Sequence, residues 1–374
     1  MNYAAIAVLL VPLLAGPARA FTEQDIEFTT KDGHVLQGKL AYPDKPLKDR
    51  PAVVLVHGSG PADMNHWLPG NQPGLRSTTG QPVQLFKQLS DTLVRAGYAV
   101  LRYNKRGYGL FPGSIVAGES GPVWANPVSV TATYPNLVDD SLQAANFLRS
   151  RSGRETDPVF LAGISEGTAI IMDAAARDGK IAGLILLSSV ARNFRETFYY
   201  QNVTRFLDVA RNRVDSDHDG VLSGKELSVF SAEEFPPAHA QIDLNGDGKA
   251  AIAELEAYLI DKFNYQVYEL ANEDPFRDYY RGKLAARPDY KSSIAKLAGR
   301  VLLIQGEADV QCPLPEALIL AKYFRDNPRV QFTLKTFPRL GHGLSRNIGR
   351  NSLVNTIGPI EPRVLDYIKA WSAK

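Results

Sequence analysis

Apolar and polar residues change rhythm repeatedly along the chain. Ile26-Glu27-Phe28 alternates, Asp32-Gly33 is a turn signal, and Val35 to Tyr42 resumes, so residues 25–42 read as a hairpin. Ala52 to Val56 is a short apolar run of the kind that forms a buried strand. Val83 to Arg95 repeats Leu85, Leu89 and Leu93 at helical spacing, with Gly97 beyond its end. A strand is then predicted over Tyr98 to Tyr103, a helix over Leu137 to Leu148 behind Pro135, and a strand over Val159 to Ile164. A helix of small residues follows from Ser165 to Arg177, and a strand from Ile181 to Val190. The alternation stops between Ala191 and Tyr290, where the chain turns helical, acidic and aromatic. It resumes with the strand Val301 to Gln305, a helix over Pro315 to Phe324, the strand Val330 to Phe337 and a last helix to Trp371. Strands alternating with helices predict an α/β fold, a mostly parallel sheet covered by helices on both faces. The expected division is a core of residues 21–190 and 291–374, with residues 191–290 as a helical cap over the carboxyl ends of the strands, where active sites of open α/β sheets form.

Composition narrows the function classes. Hydrophobic residues make up 44% and charged residues 22% of 374, which excludes a disordered chain. Lys and Arg number 42 against 40 Asp and Glu, a balance that excludes nucleic-acid or membrane binding by bulk charge. Residues 1–20 stand apart. The run Ala4 to Ala15 is too short to span a bilayer, and Ala18-Arg19-Ala20 supplies the small residues of an A-x-A cleavage site. A signal peptide cut after Ala20 is expected, hence a secreted or periplasmic protein with no transmembrane span after cleavage. Cys312 is the sole cysteine, so no internal disulfide is possible even in that oxidising setting.

The candidate chemistry begins at Gly163-Ile164-Ser165-Glu166-Gly167, a G-x-S-x-G between an apolar strand and a helix. A sharp turn there exposes the Ser165 hydroxyl at a helix N-terminus, where free N–H groups favour developing negative charge. A serine needs a base, and the base an orienting acid, in the chain order serine, acid, histidine for this architecture. His342, in Leu340-Gly341-His342-Gly343 after the last strand, fits the base. Asp309 in Gly306-Glu307-Ala308-Asp309 is preferred as the acid, with Glu307 its rival. His57-Gly58-Ser59-Gly60-Pro61 follows the strand Ala52 to Val56 as an oxyanion loop, the donors being the backbone N–H groups of Ser59 and Glu166.

These segments, with Arg102-Tyr103-Asn104-Lys105-Arg106-Gly107, resemble the α/β-hydrolase family over roughly residues 25–190 and 295–374. Within it they are similar to bacterial serine carboxylesterases related to dienelactone hydrolases and prolyl-oligopeptidase-like enzymes. Asn104 and Ile164 stand where that subgroup more often has Asp and His, differences that bear on loop packing and the pocket wall. Cys312-Pro313 stands where Val-Pro is common. Tyr103 and Arg106 either orient the oxyanion loop or form a solvated cluster at the strand end.

The insertion carries a second pattern. Residues 208–261 hold twelve acidic and four basic residues. Two twelve-residue windows, 215–226 and 243–254, match the EF-hand calcium loop. The ligands expected are Asp215, Asp217, Asp219, the Val221 carbonyl, Ser223 and Glu226 in the first window. In the second they are Asp243, Asn245, Asp247, the Lys249 carbonyl and Glu254. Ala251 lacks a side-chain oxygen at the ninth position, so the second site should be weaker. Sixteen residues containing Pro236-Pro237 separate the loops, which predicts a compact, atypical pair. The cap aromatics, from Phe194 to Tyr280, read chiefly as its core. The expectation is a serine hydrolase that cleaves small-molecule carboxylic esters, with two structural calcium ions, no organic cofactor and no nucleic-acid partner. The alternatives are a peptidase or amidase of the same fold, or a calcium-binding scaffold without activity.

Overall fold

The computed structural model describes residues 21–43, 52–60, 62–68, 70–72, 75–106, 115–118, 121–124, 133–151, 158–228, 239–273, 277–285, 289–347 and 355–373. The segment 1–20, where a signal peptide is expected, Pro61, Gly107, Pro236-Pro237 and Phe276 lie outside them.

Eight strands form the main sheet: β1 (Phe21–Thr29), β2 (Val35–Pro43), β3 (Ala52–Val56), β4 (Val100–Tyr103), β5 (Val159–Ile164), β6 (Ile181–Leu187), β7 (Gly299–Gly306) and β8 (Val330–Phe337). Their spatial order is 1-2-4-3-5-6-7-8. The β1–β2 and β2–β4 pairs are antiparallel, and the pairs from β4 through β8 are parallel. Alternation along each buried strand divides its side chains between the two faces. In β5, Val159 and Leu161 join one core, while Phe160, Ala162 and Ile164 join the other. In β7, Val301 and Leu303 part from Leu302 and Ile304 in the same way. The helices α1 (Leu85–Arg95), α2 (Tyr134–Arg151) and α3 (Glu166–Arg177) cover the sheet, α1 on one face and α2 and α3 on the other. This is the α/β-hydrolase fold.

Element ends differ from the sequence expectations in informative ways. The helix expected from Leu137 begins at Tyr134, with Pro135 in its first turn, where a missing N–H costs nothing. The strand expected to reach Val190 ends at Leu187, because Ser188 turns out of the sheet at φ 49° and its hydroxyl donates to the carbonyl of His342 at 2.7 Å.

Between β6 and β7 the chain builds the helical insertion. A helical run from Phe194 to Val214 contains two π-turns, Tyr200–Thr204 and Ala210–Val214. After the acidic loops come α4 (Ile252–Asn272), α5 (Arg277–Ala285) and α6 (Tyr290–Lys296). The last two helices of the core are α7 (Leu314–Arg325) and α8 (Pro362–Ser372). The insertion has its own apolar core, which includes Val203, Leu207, Leu222, Ala250, Leu255 and Phe263.

The two acidic loops pair with each other. Leu222 N–H donates to the Ala250 carbonyl at 2.8 Å and Ile252 N–H to the Gly220 carbonyl at 2.9 Å. Their internal bonds repeat: Asp215 and Asp243 accept from Gly220 and Gly248, and Glu226 and Glu254 reach back to the start of their loops at Ser216 and Leu244. Position four has positive φ in both loops, at His218 and Gly246. The helices between the loops that the structure describes, Gly224–Leu227 and His239–Ile242, are four residues each. The aromatic residues divide. Phe263 and Tyr279 are buried, Tyr265 and Tyr268 are exposed, and Phe194, Phe198 and Tyr280 face a cavity above the sheet. Aromatic residues of the insertion thus serve both its core and the cavity wall.

Candidate active site

Ser165 sits between β5 and α3 at φ 56° and ψ −125°. That backbone is strained for a residue with a Cβ, and it is held by what surrounds it. The Ser165 N–H donates to the Leu187 carbonyl at 3.0 Å, and the Thr168 hydroxyl donates to the Ser165 carbonyl at 2.6 Å. Gly167 is required by close approach: a Cβ there would lie 2.3 Å from the Val56 carbonyl oxygen. Gly58 packs on the serine itself, since a Cβ at that position would lie 3.1 Å from the Ser165 Cβ. The loop after β3 thus lies against the nucleophile candidate. Ser59 and Glu166, the expected oxyanion donors, line one small chamber with it.

Asp309 accepts from His342 Nδ1 through Oδ2 at 2.9 Å. Its carboxylate is fully occupied. Oδ1 accepts the backbone N–H groups of Gln311 and Cys312, each at 2.9 Å, and Oδ2 also accepts Gln305 Nε2 at 3.1 Å. Glu307 turns away and accepts from the Thr336 hydroxyl at 2.9 Å. Of the two carboxylates, Asp309 is the one that meets His342. Burial disfavours the charged imidazole of His342, but Asp309 outweighs it and raises the His342 pKa well above the ordinary value. Cys312 lies beside the same ring, and burial raises its thiol pKa and keeps it neutral. Ser165 and His342 line one cavity of about 950 Å³, together with Gly58, Ser59 and Ile164. Among the described residues no hydrogen bond joins Ser165 Oγ to His342; catalytic hydrogen bonds are often long in ligand-free sites.

Several site residues were not singled out by sequence. His66 lines the cavity at φ 51°, its ring stacked on His57 with centroids 5.7 Å apart. Burial, then the charge of Lys105 and of His342, lowers its pKa to about 3, so it stays neutral. More consequential is the side chain of Glu166. Its carboxylate is buried between two ammonium groups, Lys105 at 3.0 Å and Lys283 at 2.7 Å, and accepts the Tyr279 hydroxyl at 2.7 Å. Lys105 donates onward to the Gly58 carbonyl at 2.6 Å, and Lys283 to the Ser59 hydroxyl at 3.3 Å. One carboxylate therefore ties the start of α3, the loop after β3 and cap helix α5 together. Burial alone would raise the Glu166 pKa, yet Lys105 and Lys283 hold it at about 2. Burial lowers the Lys283 pKa, the charge of Lys105 lowers it further, and Glu166 opposes both.

Two residues of that segment touch the expected oxyanion loop: Lys105 at the Gly58 carbonyl, and Tyr103, whose ring packs edge-on against His57 with centroids 5.9 Å apart. Arg106 is buried rather than solvated. It pairs with Asp140 and Asp32, each at 2.5 Å, and pins the β1–β2 turn to α2. Asn104 accepts the Met64 N–H at 2.8 Å, a loop-packing role.

In the insertion, carboxylate oxygens of Asp215, Asp217 and Asp219 lie within 4.8 Å of one another. The elements flanking the acidic loops reach the cavity: Phe198 and Gln201 from the helical run before them, and Gln266 and Glu269 from α4 after them. No described helix is long and apolar enough to cross a membrane.

Comparison with known proteins agrees with this architecture. Residues 79–218 match the family model described as serine aminopeptidase, S33, and residues 248–357 that of the prolyl oligopeptidase family. Esterase EstD of Thermotoga maritima is 26% identical over 359 residues, covering 95% of this chain and 68% of EstD. The Pyrococcus furiosus esterase Pf2001 superposes with a TM-score of 0.50 at 12% identity, over 100% of this chain and 94% of that one. The acylaminoacyl peptidase of Pyrococcus horikoshii gives 0.51 at 14% identity, over 96% of this chain and 42% of its own. Fold, family models and curated relative agree on an α/β-hydrolase fold and on a serine hydrolase.

Proposed function

We propose that the protein hydrolyses carboxylic esters through an acyl-enzyme. Ser165 Oγ attacks the acyl carbon, and His342 takes its proton and returns it to the departing alcohol. Asp309 holds the imidazole tautomer and stabilises the imidazolium. The N–H groups of Ser59 and Glu166 receive the oxyanion, and water then releases the acid. The observation that carries this reading is the Asp309–His342 bond beside a serine held at positive φ, with both His342 and Ser165 on one cavity. A panel of aryl esters and peptide amides tests it, with fluorophosphonate labelling of Ser165 as the control for an active site. Amide cleavage without ester cleavage would favour the second reading, a peptidase, which draws on the two peptidase-named family models.

Asp309→Asn preserves shape but lets His342 adopt the wrong tautomer, and kcat should fall by about 10⁴. Glu307→Gln should leave it within a few fold. The reverse pattern would reassign the acid. The neutral ring is the base, so the rate should climb as pH rises through the His342 pKa, which Asp309 holds above the ordinary value. Asp309→Asn should move that limb to lower pH.

The reading extends to metal. The donors of the two acidic loops are hard oxygens, and the three clustered aspartates suit calcium. Asp215, Asp217, Asp219, Val221, Ser223 and Glu226 would hold one ion, and Asp243, Asn245, Asp247, Lys249 and Glu254 a second. Bound calcium supplies charge neutralisation in the cap and takes no part in bond making. The export signal inferred for residues 1–20 would carry these loops to a calcium-rich secreted or periplasmic setting. Calcium at about 100 times its Kd should raise the melting temperature by about 5 °C. Asp215→Ala should erase more of that gain than Asp243→Ala. Identical melting in chelator and in calcium would end this part of the proposal.

A further inference from the structure

Two chambers meet at Ser165, and they differ in size, lining and access to His342. The larger, of about 950 Å³, is lined by His342. The smaller, of about 80 Å³, is lined by Ser59, Ser165 and Glu166, and by Ala169, Val190 and Tyr290 behind them, but not by His342. Resting on the ester reading above, chemistry assigns the two halves of the substrate. The departing alcohol must receive its proton from His342, so it occupies the larger chamber. The carbonyl oxygen must face the Ser59 and Glu166 N–H groups, so the acyl chain enters the smaller one.

We infer that the substrates are esters of short acids, of two to four carbons, with large, hydroxyl-bearing alcohols of which an acetylated sugar is the chemical type. A single water needs on the order of 10–15 Å³ of cavity, so the small chamber takes only a few heavy atoms beyond the carbonyl. Its far wall is braced. Tyr134 donates to Asp173 at 2.8 Å, Arg192 pairs with Glu316 at 3.0 Å, and the Glu316 carboxylate also accepts the N–H groups of Ala191 and Arg192. A longer chain would have to break those bonds to enter.

The alcohol side has the opposite character. The first half of α4 buries Leu255, Leu259 and Phe263 in the cap core. Its second half presents Gln266, Glu269 and Leu270 to the cavity at helical spacing, with Glu273 just past its end. Leu68, Leu85 and Ile357 line the same chamber, so it is amphipathic and not apolar throughout. The parallel rings of Phe194 and Phe198, 5.5 Å apart, add flat faces of the kind on which the C–H face of a sugar packs. Polar side chains interleaved with aromatic faces suit a ring that carries hydroxyls.

The test uses the purified full chain. Rates are compared on p-nitrophenyl acetate, butyrate and octanoate, and on glucose monoacetate against hexadecyl acetate. The expected kcat/KM falls at least tenfold from butyrate to octanoate and favours the sugar ester over the hexadecyl ester at least tenfold. Val190→Ala, which deepens the small chamber with little risk to folding, should raise the octanoate-to-acetate ratio several fold. Glu269→Leu should shift preference toward hexadecyl acetate. Octanoate cleaved as well as butyrate would overturn the acyl assignment, and preference for hexadecyl acetate the alcohol assignment. Turnover of no ester at all would instead defeat the esterase reading itself.

Discussion

Ser165→Ala should lower kcat by about 10⁶-fold while leaving the fold intact. The loss is large because the hydroxyl, the base and the oriented acid act as a unit, and no neighbouring group can supply a second nucleophile in the same position. Cys312, the other nucleophilic side chain beside His342, is buried and kept neutral, so it offers no substitute. The backbone strain at residue 165 is imposed by the close packing of Gly167 on β3 and by the bond to Leu187, not by the hydroxyl. Alanine should therefore occupy the same backbone, and circular dichroism and melting should match the parent. Residual hydrolysis above about one part in 10³, with fluorophosphonate still attached to the protein, would point to a different nucleophile.

Glu166→Gln should be the most damaging single change outside the proposed triad. It removes the one carboxylate between two buried ammonium groups, and stranding a buried charge costs about 3–5 kcal/mol. It also frees the Gly58 and Ser59 loop from α3, so kcat should fall more than KM changes. Lys283→Met should be milder, because Glu166 and Lys105 then remain as a one-to-one pair. The acid limb of stability reports the same network. The folded Glu166 pKa of about 2 lies below its ordinary 4.5, so its contribution is present above about pH 4.5 and is lost as pH falls toward 2. At 1.36 kcal/mol per unit this amounts to about 3 kcal/mol. Urea melts between pH 2 and 6 should show that loss in the parent and a flatter profile in Glu166→Gln. Equal profiles would mean that the network carries no such linkage.

The network also explains why part of the site was hidden in the sequence. Lys105, Glu166 and the α5 pair Tyr279 and Lys283, one helical turn apart, are ordinary polar residues in three separate segments, and no spacing relates the segments. Their charges converge only because β4 lies beside β3 and because α5 packs over the start of α3. By contrast Ser165 sits in a local motif, since the glycines on either side answer to a turn only a few residues long. His342 was reachable by chain order. The choice between Asp309 and Glu307 was not, because two carboxylates two residues apart differ only in which partner the fold brings to each.

What the sequence determined by itself was the α/β alternation, most strand positions, the sharp turn at Ser165 and the acidic loop pattern. All of these depend on hydrophobic period or on residues within about a dozen positions of one another, where backbone geometry acts directly. The tertiary structure alone decided which acid meets His342, that Arg106 is a buried pin, that the cap is clamped to the loop after β3, and that two unequal chambers flank Ser165. Each of these is a contact between segments far apart in the chain. Its energy depends on burial and on charge compensation, quantities that exist only after the chain has packed.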